Sequence, residues 1–312
     1  MPHKRDKNIL LIALGGNSLM RPGEQGTIEE QLANLRRPMH QVASLAHDYR
    51  LIITHGNGPQ VGNLLLQQDS CPNIPRLPLQ ILVAQTQGQI GCMIESTLEE
   101  ELLALGGRRR LMASLISSVV VDERDPAFLQ PTKPIGPFYS DEQSVGLPWP
   151  VVHTPKGYRR VVASPRPVSI VEKEVIRRLI GLDFIVICCG GGGIPVIREG
   201  YAFHGVDAVI DKDLASTCLA TEIGVNTLLI ATDVPGVALY YNTPSERFLS
   251  VLTVSDADRY LTDGQFPSGD MGPKVEAAVQ FIRNGGQEAV ICHLDDINAA
   301  IAGNAGTAIV HG

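Results

Sequence analysis

Short apolar runs alternate with helical patterns along nearly the whole chain, and this alternation constrains the fold more than any other feature. The predicted strands are NILLIAL (8–14), RLIITH (50–55), MASLISSVVV (112–121), DFIVICC (183–189), NTLLIA (226–231), EAVICHL (288–294) and GTAIV (306–310). Strands without a polar face must be covered on both sides, and helices between them favour parallel pairing. We therefore predict the α/β class, with a three-layer αβα fold around an open, mainly parallel sheet.

Helical periodicity fills most of the segments between these runs. The predicted helices span residues 28–48, 59–68, 79–105, 168–180, 213–223, 255–262, 273–283 and 296–302. Pro38 falls inside the first of them. Because proline lacks a backbone donor and clashes with the preceding turn, we expect that helix to be broken or kinked there.

Residues 122–167 interrupt this rhythm. The segment contains nine prolines and few apolar periods. A connection of this length inside a compact domain is usually either functional or disordered. We predict a semi-rigid, hairpin-rich lid, a protruding part of one domain that spans residues 1–312, and not a flexible linker.

Composition argues against several classes of partner. The formal net charge is −7, and no basic field is present that could hold nucleic acid or an anionic membrane. No stretch approaches the ~18 apolar residues of a membrane span, and the run Ile9–Leu14 is too short for a signal-peptide core. We expect a cytoplasmic protein with no nucleic-acid or membrane partner. The six cysteines form no C-x-x-C pair, so we interpret them as buried free thiols.

Three glycine-rich turns each follow a predicted strand. They are ALGGNSL (13–19), THGNGPQVG (54–62) and CCGGGGIPV (188–196). In a parallel sheet all three would lie at the same edge, where their backbone N–H groups can bind anions. None matches a P-loop or the dinucleotide-binding G-x-G-x-x-G pattern, which argues against those two enzyme classes.

Lysine is scarce in this chain, so its placement is informative. Only seven of the 26 basic residues are lysine, and three of them stand out: Lys133 in QPTKPIGPF, Lys212 in AVIDKDLAS and Lys274 in SGDMGPKVEAA. The compact ammonium group suits a moving phosphoryl group, and phosphoryl transfer depends mainly on positioning and charge neutralisation. The pattern therefore favours a phosphotransferase.

An acid–base enzyme is the competing interpretation. His55 stands beside the second glycine turn, and DKD supplies carboxylates. No triad-like or H-x-x-x-H arrangement accompanies them. We therefore interpret His55 as a turn or core histidine.

The motifs ALGGN, HGNGPQVGNLL, PTKPIG, VVASPRP, CGGGGIPV, VIDKDLAS and MGPKVEAA, in this order, resemble the carbamate kinases of the amino-acid-kinase superfamily. The likeness runs from about residue 13 to about residue 280. It implies an open αβα sandwich, a homodimer, and reversible phosphate transfer from carbamoyl phosphate to ADP, which gives carbamate and ATP with Mg²⁺.

The resemblance also implies roles for individual residues. Backbone and amide donors would hold the carbamoyl phosphate end: Gly15, Gly16, Asn17, Gly56, Asn57 and Gly58. The floor between the two substrates would be Gly190, Gly191, Gly192 and Gly193. Lys133 would reach the transferred phosphoryl group from the lid, and Asp213 would orient Lys212 and Lys274 towards the nucleotide phosphates. Asp233, Met271 and Gly272 would lie near the nucleotide.

Two segments depart from the family pattern. VVHTPKGYRR (151–160) replaces a longer acidic, glycine-rich run, and Gly269-Asp270-Met271 stands where Gly-Ser-Met is common. These departures leave two alternatives open. One is a kinase for another small carbamoyl or carboxylate substrate, and the other is a weakened homologue that binds nucleotide or anion for regulation.

Overall fold

The computed structural model describes residues 7–21, 23–71, 73–107, 109–154, 157–266 and 271–312. Its strands are β1 Ile9–Leu14, β2 Arg50–His55, β3 Met112–Ser114, β4 Ser118–Val121, β5 Lys133–Tyr139, β6 Val151–Thr154, β7 Gly157–Val162, β8 Pro167–Ile170, β9 Ile185–Ile187, β10 Ile194–Glu199, β11 Ala202–Gly205, β12 Thr227–Thr232, β13 Ala238–Leu239, β14 Arg247–Phe248, β15 Val251–Thr253, β16 Glu288–His293 and β17 Thr307–Val310. Its helices are α1 Ile28–Leu45, α2 Gly58–Ser70, α3 Leu79–Ala104, α4 Asp141–Ser144, α5 Lys173–Gly181, α6 Lys212–Ile223, α7 Val254–Thr262, α8 Met271–Arg283 and α9 Ile297–Ile301.

Within these ranges, eight strands form the central sheet, in the order β15-β17-β16-β12-β1-β2-β9-β3. The strands from β16 to β3 all run parallel. Only at one end does the direction reverse, where β17 pairs antiparallel with β16 and parallel with β15. The predicted open, mainly parallel sheet is confirmed.

Strand β1 shows why the sheet needs helices on both faces. Leu10, Ile12 and Leu14 belong to a core cluster that includes residues of α1 and α3. Leu11 and Ala13 point to the other face and belong to a cluster with residues of α6 and α8. All five side chains are 0% exposed. Because successive side chains of a strand alternate between faces, an apolar strand can be buried in this way only in a three-layer structure.

Two predicted elements are wrong in their extent. The run 112–121 is not one strand: it divides into β3, at the edge of the central sheet, and β4, in a second sheet of order β11-β10-β4-β8. Between them the Gln87 side chain holds the backbone of Ser117 through two hydrogen bonds of 2.8 and 3.1 Å, so the chain turns there. The predicted helix 168–180 begins only at Lys173, because residues 167–170 pair with β4 as β8.

Helix α1 continues through Pro38 from Ile28 to Leu45, so the predicted break is wrong. Packing outweighs the lost hydrogen bond: Leu35, Met39 and Val42, on both sides of the proline, are 0% exposed.

Residues 122–167 carry a separate antiparallel sheet of order β5-β7-β6, called the lid sheet below. The predicted hairpins are therefore present. The ends of the segment lie together, because Val121 pairs with Pro167 between β4 and β8. Ile135 and Val162 of the lid sheet pack against Val61 in a small core of their own.

The cysteines fit the prediction only in part. Cys188, Cys189 and Cys292 are buried and Cys218 is half-buried. Cys71, directly after α2, and Cys92, on α3, are exposed. Across the described ranges, none of the helices combines the length and apolar character that crossing a bilayer requires.

Candidate active site

The three glycine turns meet at the carboxyl edge of the adjacent strands β1, β2 and β9, as predicted. The first two turns touch through their backbones: a Cβ added to Gly56 would lie 3.2 Å from the nitrogen of Gly16. The third turn touches the second, since a Cβ on Gly190 would lie 2.4 Å from the ring of His55. Turns in parallel strands thus form one continuous backbone surface at the place where α/β proteins bind ligands.

A cavity of about 280 Å³, called the active-site cavity below, opens onto this surface. The predicted site residues that line it are Gly16, Gly56, Asn57, Gly58, Gly191, Lys133, Lys212, Asp213 and Lys274. The N-termini of α2 and α6 also face it, through Gly58 and Lys212. Helix N-termini carry unpaired N–H groups and a partial positive charge, so the cavity favours an anion.

Asp213 lies between the buried Lys274 and the half-buried Lys212. Lys212 Nζ is 2.5 Å from Asp213 Oδ1, and Lys274 Nζ is 3.8 Å from Asp213 Oδ2. The three side chains are 13%, 11% and 4% exposed for Lys212, Lys274 and Asp213. Two elements, α6 and α8, deliver these ammonium groups to one place, where low solvent exposure strengthens their action on an anion.

Lys133 reaches the same cavity from the lid sheet, and its Nζ lies 3.0 Å from Asp211 Oδ2. The other oxygen of Asp211 caps α6 by accepting from the N–H of Asp213 at 2.9 Å. Burial tends to raise the pKa of Asp211, but the ammonium groups of Lys133 and Lys212 outweigh it, so this pKa lies below its ordinary value. Sequence reasoning noted Asp211 only as a neighbour of Lys212. Its position before the helix was the signal for a cap.

Arg159 also lines the cavity, and sequence reasoning did not select it. Its guanidinium donates to the carbonyl of Gly136 at 2.9 Å and lies 5.1 Å from the centre of the Phe138 ring. Burial lowers the pKa of Arg159. With Arg159 the cavity has four cationic side chains against two carboxylates, so it is net positive.

The four glycines 190–193 are explained by packing against the protein itself. A Cβ on Gly191 would lie 2.1 Å from the Asn57 amide, and one on Gly192 would lie 2.3 Å from the carbonyl of Ile210. Gly191, Gly192 and Gly193 also have positive φ, of 64°, 87° and 86°, which L side chains rarely adopt. Of the four, only Gly191 lines the cavity. The expected contact of this turn with substrates stays a prediction.

His55 is a core histidine, as interpreted from the sequence. It is 1% exposed, and its Nδ1 lies 3.0 Å from the carbonyl oxygen of Gly56. Burial lowers the pKa of His55 to about 4, with the hydrogen bond to Gly56 opposing the shift and the charge of Lys212 adding to it. The imidazole is therefore neutral near pH 7.

The remaining predicted residues lie outside the cavity lining. Gly15 donates to the carbonyl of Ala231 at 3.0 Å. Asn17 donates to Asp233 at 2.6 Å, which joins the first glycine turn to the end of β12. Met271 and Gly272 form the start of α8. The departure at Asp270 lies outside the described residues.

Comparison with known proteins gives a consistent picture. Residues 8–293 match the sequence model of the Amino acid kinase family. A carbamate kinase of Pyrococcus horikoshii is 45% identical over 309 residues, covering 96% of this chain and 98% of the relative. One from Clostridium perfringens is 41% identical, covering 96% and 99%. The structure of a carbamate kinase from Giardia lamblia bound to AMP-PNP superimposes with a TM-score of 0.92 at 36% identity, covering 98% of this chain and 99% of that one.

Proposed function

The chain belongs to the amino acid kinase family, and on that premise we propose that it is a carbamate kinase. The reaction is the reversible transfer of a phosphoryl group from carbamoyl phosphate to ADP, giving carbamate and ATP. One observation carries the proposal: Lys133, Lys212 and Lys274, from three separate elements, converge on one cavity at the carboxyl edge of the sheet.

The chemistry suits a site without a general base. A terminal oxygen of ADP attacks phosphorus, the bond between phosphorus and the carbamate oxygen breaks, and carbamate leaves as an anion. No proton has to move, so catalysis depends on holding the reactants in line and neutralising charge. His55 fits this requirement, since burial lowers its pKa to about 4 and so makes its imidazole a weak base.

In this proposal, each group of residues binds a different part of the two substrates. The N–H groups of the turn 56–58, at the start of α2, bind the phosphate of carbamoyl phosphate. Lys212 and Lys274 neutralise the charge on the nucleotide phosphates and the transferred group, and Asp213 keeps both ammonium groups in place. Lys133 adds a further charge when the lid sheet closes over the cavity and excludes water.

Mg²⁺ enters with the nucleotide in this proposal. The described part of the chain contains no group of three or more His, Cys, Asp or Glu side chains that could hold a metal. Asp211 and Asp213, the two carboxylates of the cavity, are both paired with lysines. The ion supplies charge neutralisation on the phosphates, and the chain supplies the surrounding cations.

We also propose that the protein is a cytoplasmic homodimer. Leu103 near the end of α3, Leu111 beside the edge strand β3, and Ile116 are all more than half exposed, and apolar surface of this kind favours association. Light scattering at micromolar concentration should give twice the 33.6 kDa of one chain.

The site favours an active enzyme over a weakened regulatory homologue, because the three lysines and Asp213 are all present and assembled. Purified protein with carbamoyl phosphate, ADP and Mg²⁺ should therefore form ATP. Lys212→Ala should lower kcat by about 100-fold or more, the usual loss when one buried stabiliser of developing charge is removed. Lys7→Ala is the matched control. This lysine does not line the active-site cavity and its Nζ lies 3.4 Å from the carbonyl oxygen of Ala46, so the variant should retain full activity.

The substrate alternative is tested in the same assay. Acetyl phosphate in place of carbamoyl phosphate should give much slower ATP formation. Background rates with carbamoyl phosphate, beside a working reference kinase, would contradict the proposal, and faster turnover of acetyl phosphate would point to a carboxylate substrate instead.

A further inference from the structure

Asn57 stands at the N-terminal cap position of α2, but its side chain does not cap the helix. Asparagine is favoured at this position because its side-chain oxygen usually accepts from an N–H group of the first turn. Here the side chain makes no such hydrogen bond, although it is only 9% exposed. The Asn57 side chain must therefore have a different role.

The orientation of the Asn57 amide follows from its neighbours on α3. Thr86 Oγ1 lies 2.8 Å from the carbonyl oxygen of Val83, and two oxygens this close need a proton between them, which only the Thr86 hydroxyl can supply. Thr86 can then only accept from Asn57, whose Nδ2 lies 2.8 Å away. The amide nitrogen faces Thr86, so Oδ1 lies on the opposite side of the amide group.

The third glycine turn holds the amide group in this position. A Cβ added to Gly191 would lie 2.1 to 2.5 Å from the nitrogen, carbon and oxygen of the Asn57 amide. Gly191 and Asn57 both line the active-site cavity. The amide is thus packed between the cavity wall and α3, and its oxygen has a defined position.

Asn57 Oδ1 is the side-chain acceptor that the described lining of the active-site cavity leaves unused. Three lining side chains carry oxygen: Asn57, Asp211 and Asp213. The oxygens of Asp211 bind Lys133 and an N–H group of α6, and those of Asp213 face the two lysines of α6 and α8. Asn57 Oδ1 accepts from no described donor, and it is not among the unpaired polar atoms that are buried from solvent. A ligand in the cavity can therefore reach it.

We propose that Asn57 Oδ1 accepts a hydrogen bond from the amino group of carbamoyl phosphate and so makes the site selective for this substrate. The inference rests on the proposed carbamate kinase function and names the residue that recognises the carbamoyl group. The phosphate binds at the first turn of α2, and the N–H groups of the planar carbamoyl group lie beside the amide oxygen at the same end of the helix. The amino group stays on the product, so carbamate is recognised in the same way.

Acetyl phosphate has nearly the same shape but carries a methyl group where carbamoyl phosphate carries NH₂. A methyl group cannot donate, so bound acetyl phosphate would cover Asn57 Oδ1 and leave it without a partner. An acceptor that loses its water without gaining a donor costs binding free energy, and sites built around such a group reject analogues that lack the donor.

Two stable analogues measure this selectivity without catalysis. Phosphonoacetamide and acetonylphosphonate both have CH₂ in place of the bridging oxygen, and they differ only in the NH₂ or CH₃ group on the carbonyl carbon. Isothermal titration calorimetry gives the Kd of each. We expect the wild-type protein to bind the amide about tenfold or more tightly than the ketone, the usual effect of one unpaired buried acceptor.

Asn57→Ala removes the acceptor and should bring the ratio of the two Kd values close to one. Amide binding should weaken, whereas the ketone should bind at least as well as before, because no unpaired oxygen faces its methyl group. A merely structural role of Asn57 would weaken both. Asn63→Ala is the matched control, the same change at an exposed position of α2 outside the cavity lining, and it should keep the wild-type ratio.

Thr86 is a positioning residue in this proposal, and its variants form a second test that does not need Asn57→Ala to fold. Thr86→Val keeps the shape of the side chain but removes the hydroxyl, so nothing sets which side of the Asn57 amide faces the cavity, and the ratio should fall. Thr86→Ser keeps the hydroxyl and should retain the preference for the amide.

The proposal is overturned by equal binding of the two analogues to the wild-type protein, by a preference that persists in Asn57→Ala, or by parallel losses of both ligands in that variant. ATP formation from carbamoyl phosphate is assayed separately on the same preparations. ATP formation together with a ratio that does not depend on Asn57 would overturn this inference alone. A preference for the amide that depends on Asn57, without any ATP formation, would contradict the kinase function and leave the recognition of the amino group standing.

Discussion

Two glycine turns at one edge of the central sheet use the same residue type for different reasons. In the turn 190–193, each added Cβ would collide with protein atoms at 2.1 to 2.4 Å. In the turn 56–58, Gly56 is packed against Gly16, but a Cβ on Gly58 would meet nothing within 4 Å and its φ is not positive, so nothing in the protein itself requires a glycine at position 58. We call these the packed turn and the open turn.

The two turns therefore have different roles: the packed turn supports neighbouring residues, and the open turn is free to contact a ligand. The packed turn fixes its neighbours: Gly192 lies against the carbonyl of Ile210, which directly precedes Asp211 and Lys212. It therefore positions the cationic cluster without having to touch a ligand. The open turn leaves its space to whatever enters the active-site cavity. Glycine-rich sequence alone does not distinguish these two uses.

The largest expected effect is a loss of stability caused by a substitution in the packed turn. Gly192→Ala would place a Cβ 2.3 Å from the Ile210 carbonyl oxygen at a φ of +87°. Backbone strain of this kind costs about 1–3 kcal/mol, and the collision adds to it, so we expect a loss of about 3 kcal/mol or more in the free energy of unfolding. Urea denaturation measures the loss.

Gly181→Ala is the matched control, because this exposed position at the end of α5 has no atom within 4 Å of an added Cβ. Its stability should stay unchanged or rise slightly. Equal stability of Gly192→Ala and Gly181→Ala would remove the distinction between the packed turn and an ordinary glycine.

The open turn should show the opposite response. Gly58→Ala adds a methyl group at the first residue of α2, where alanine is at least as stable as glycine, so the melting temperature should hold or rise. The methyl group would take up space beside the bound phosphate, and a displacement of about 1 Å can cost about 100-fold in rate. We expect kcat/KM for carbamoyl phosphate to fall by this order.

Normal activity of a stable Gly58→Ala would show that the open turn does not contact substrate. A loss of both stability and activity would show that it is packed after all. Either result would show that the two turns do not differ in the way described here.

A smaller effect is expected in the pH dependence of stability, through His55, whose ring lies against Gly190 of the packed turn. Its pKa of about 4 in the folded protein lies below the ordinary 6.5 because it is buried against Gly190. The unfolded chain therefore binds the proton more readily, so the stability that depends on neutral His55 is complete above pH 6.5 and is lost as the pH falls towards 4.

The comparison variant is His55→Asn, which does not titrate. At 1.36 kcal/mol per pH unit, wild-type stability should fall relative to His55→Asn by about 2 kcal/mol between pH 7 and pH 5. Parallel pH profiles of the two proteins, measured by urea denaturation, would show that His55 is not held neutral.

The architecture could be predicted from the sequence because the strands of the central sheet are apolar on both faces. Leu10 to Leu14 lack a polar face, which requires cover on both sides, and the three glycine turns then fall at one edge. The division of 112–121 could not be predicted, since it depends on the Gln87 side chain, 30 residues from Ser117. Continuity through Pro38 likewise depends on long-range packing.

The site was predictable where residues are rare or sequence neighbours, as with the three lysines and Asp213. Arg159 was missed because arginine is common in this chain and its place depends on how the lid sheet folds back onto α2. The pairing of Lys133 with Asp211 joins residues 78 positions apart, so no local pattern could indicate it.

The smallest expected effect concerns Lys133, which reaches the open turn's cavity from the lid sheet. Its side chain is 38% exposed, against 13% for Lys212 and 11% for Lys274, so water screens its charge more. We expect Lys133→Ala to lower kcat about tenfold, less than the ~100-fold for a buried stabiliser, with ADP affinity nearly unchanged.

Asp211 both binds the ammonium of Lys133 and caps α6, and the variant Asp211→Asn separates these two roles. Asparagine still caps α6, so folding should be preserved, but it no longer holds the ammonium of Lys133. Hydrogen exchange in residues 133–154 and 157–162 should then speed up in the free protein and slow when both ligands are bound, because the phosphoryl group replaces the carboxylate as the partner of Lys133. Full activity of Lys133→Ala, together with exchange in these residues that does not respond to ligands, would make the lid sheet a fixed part of the fold. The cavity beside the open turn would then work with the charges of α6 and α8 alone.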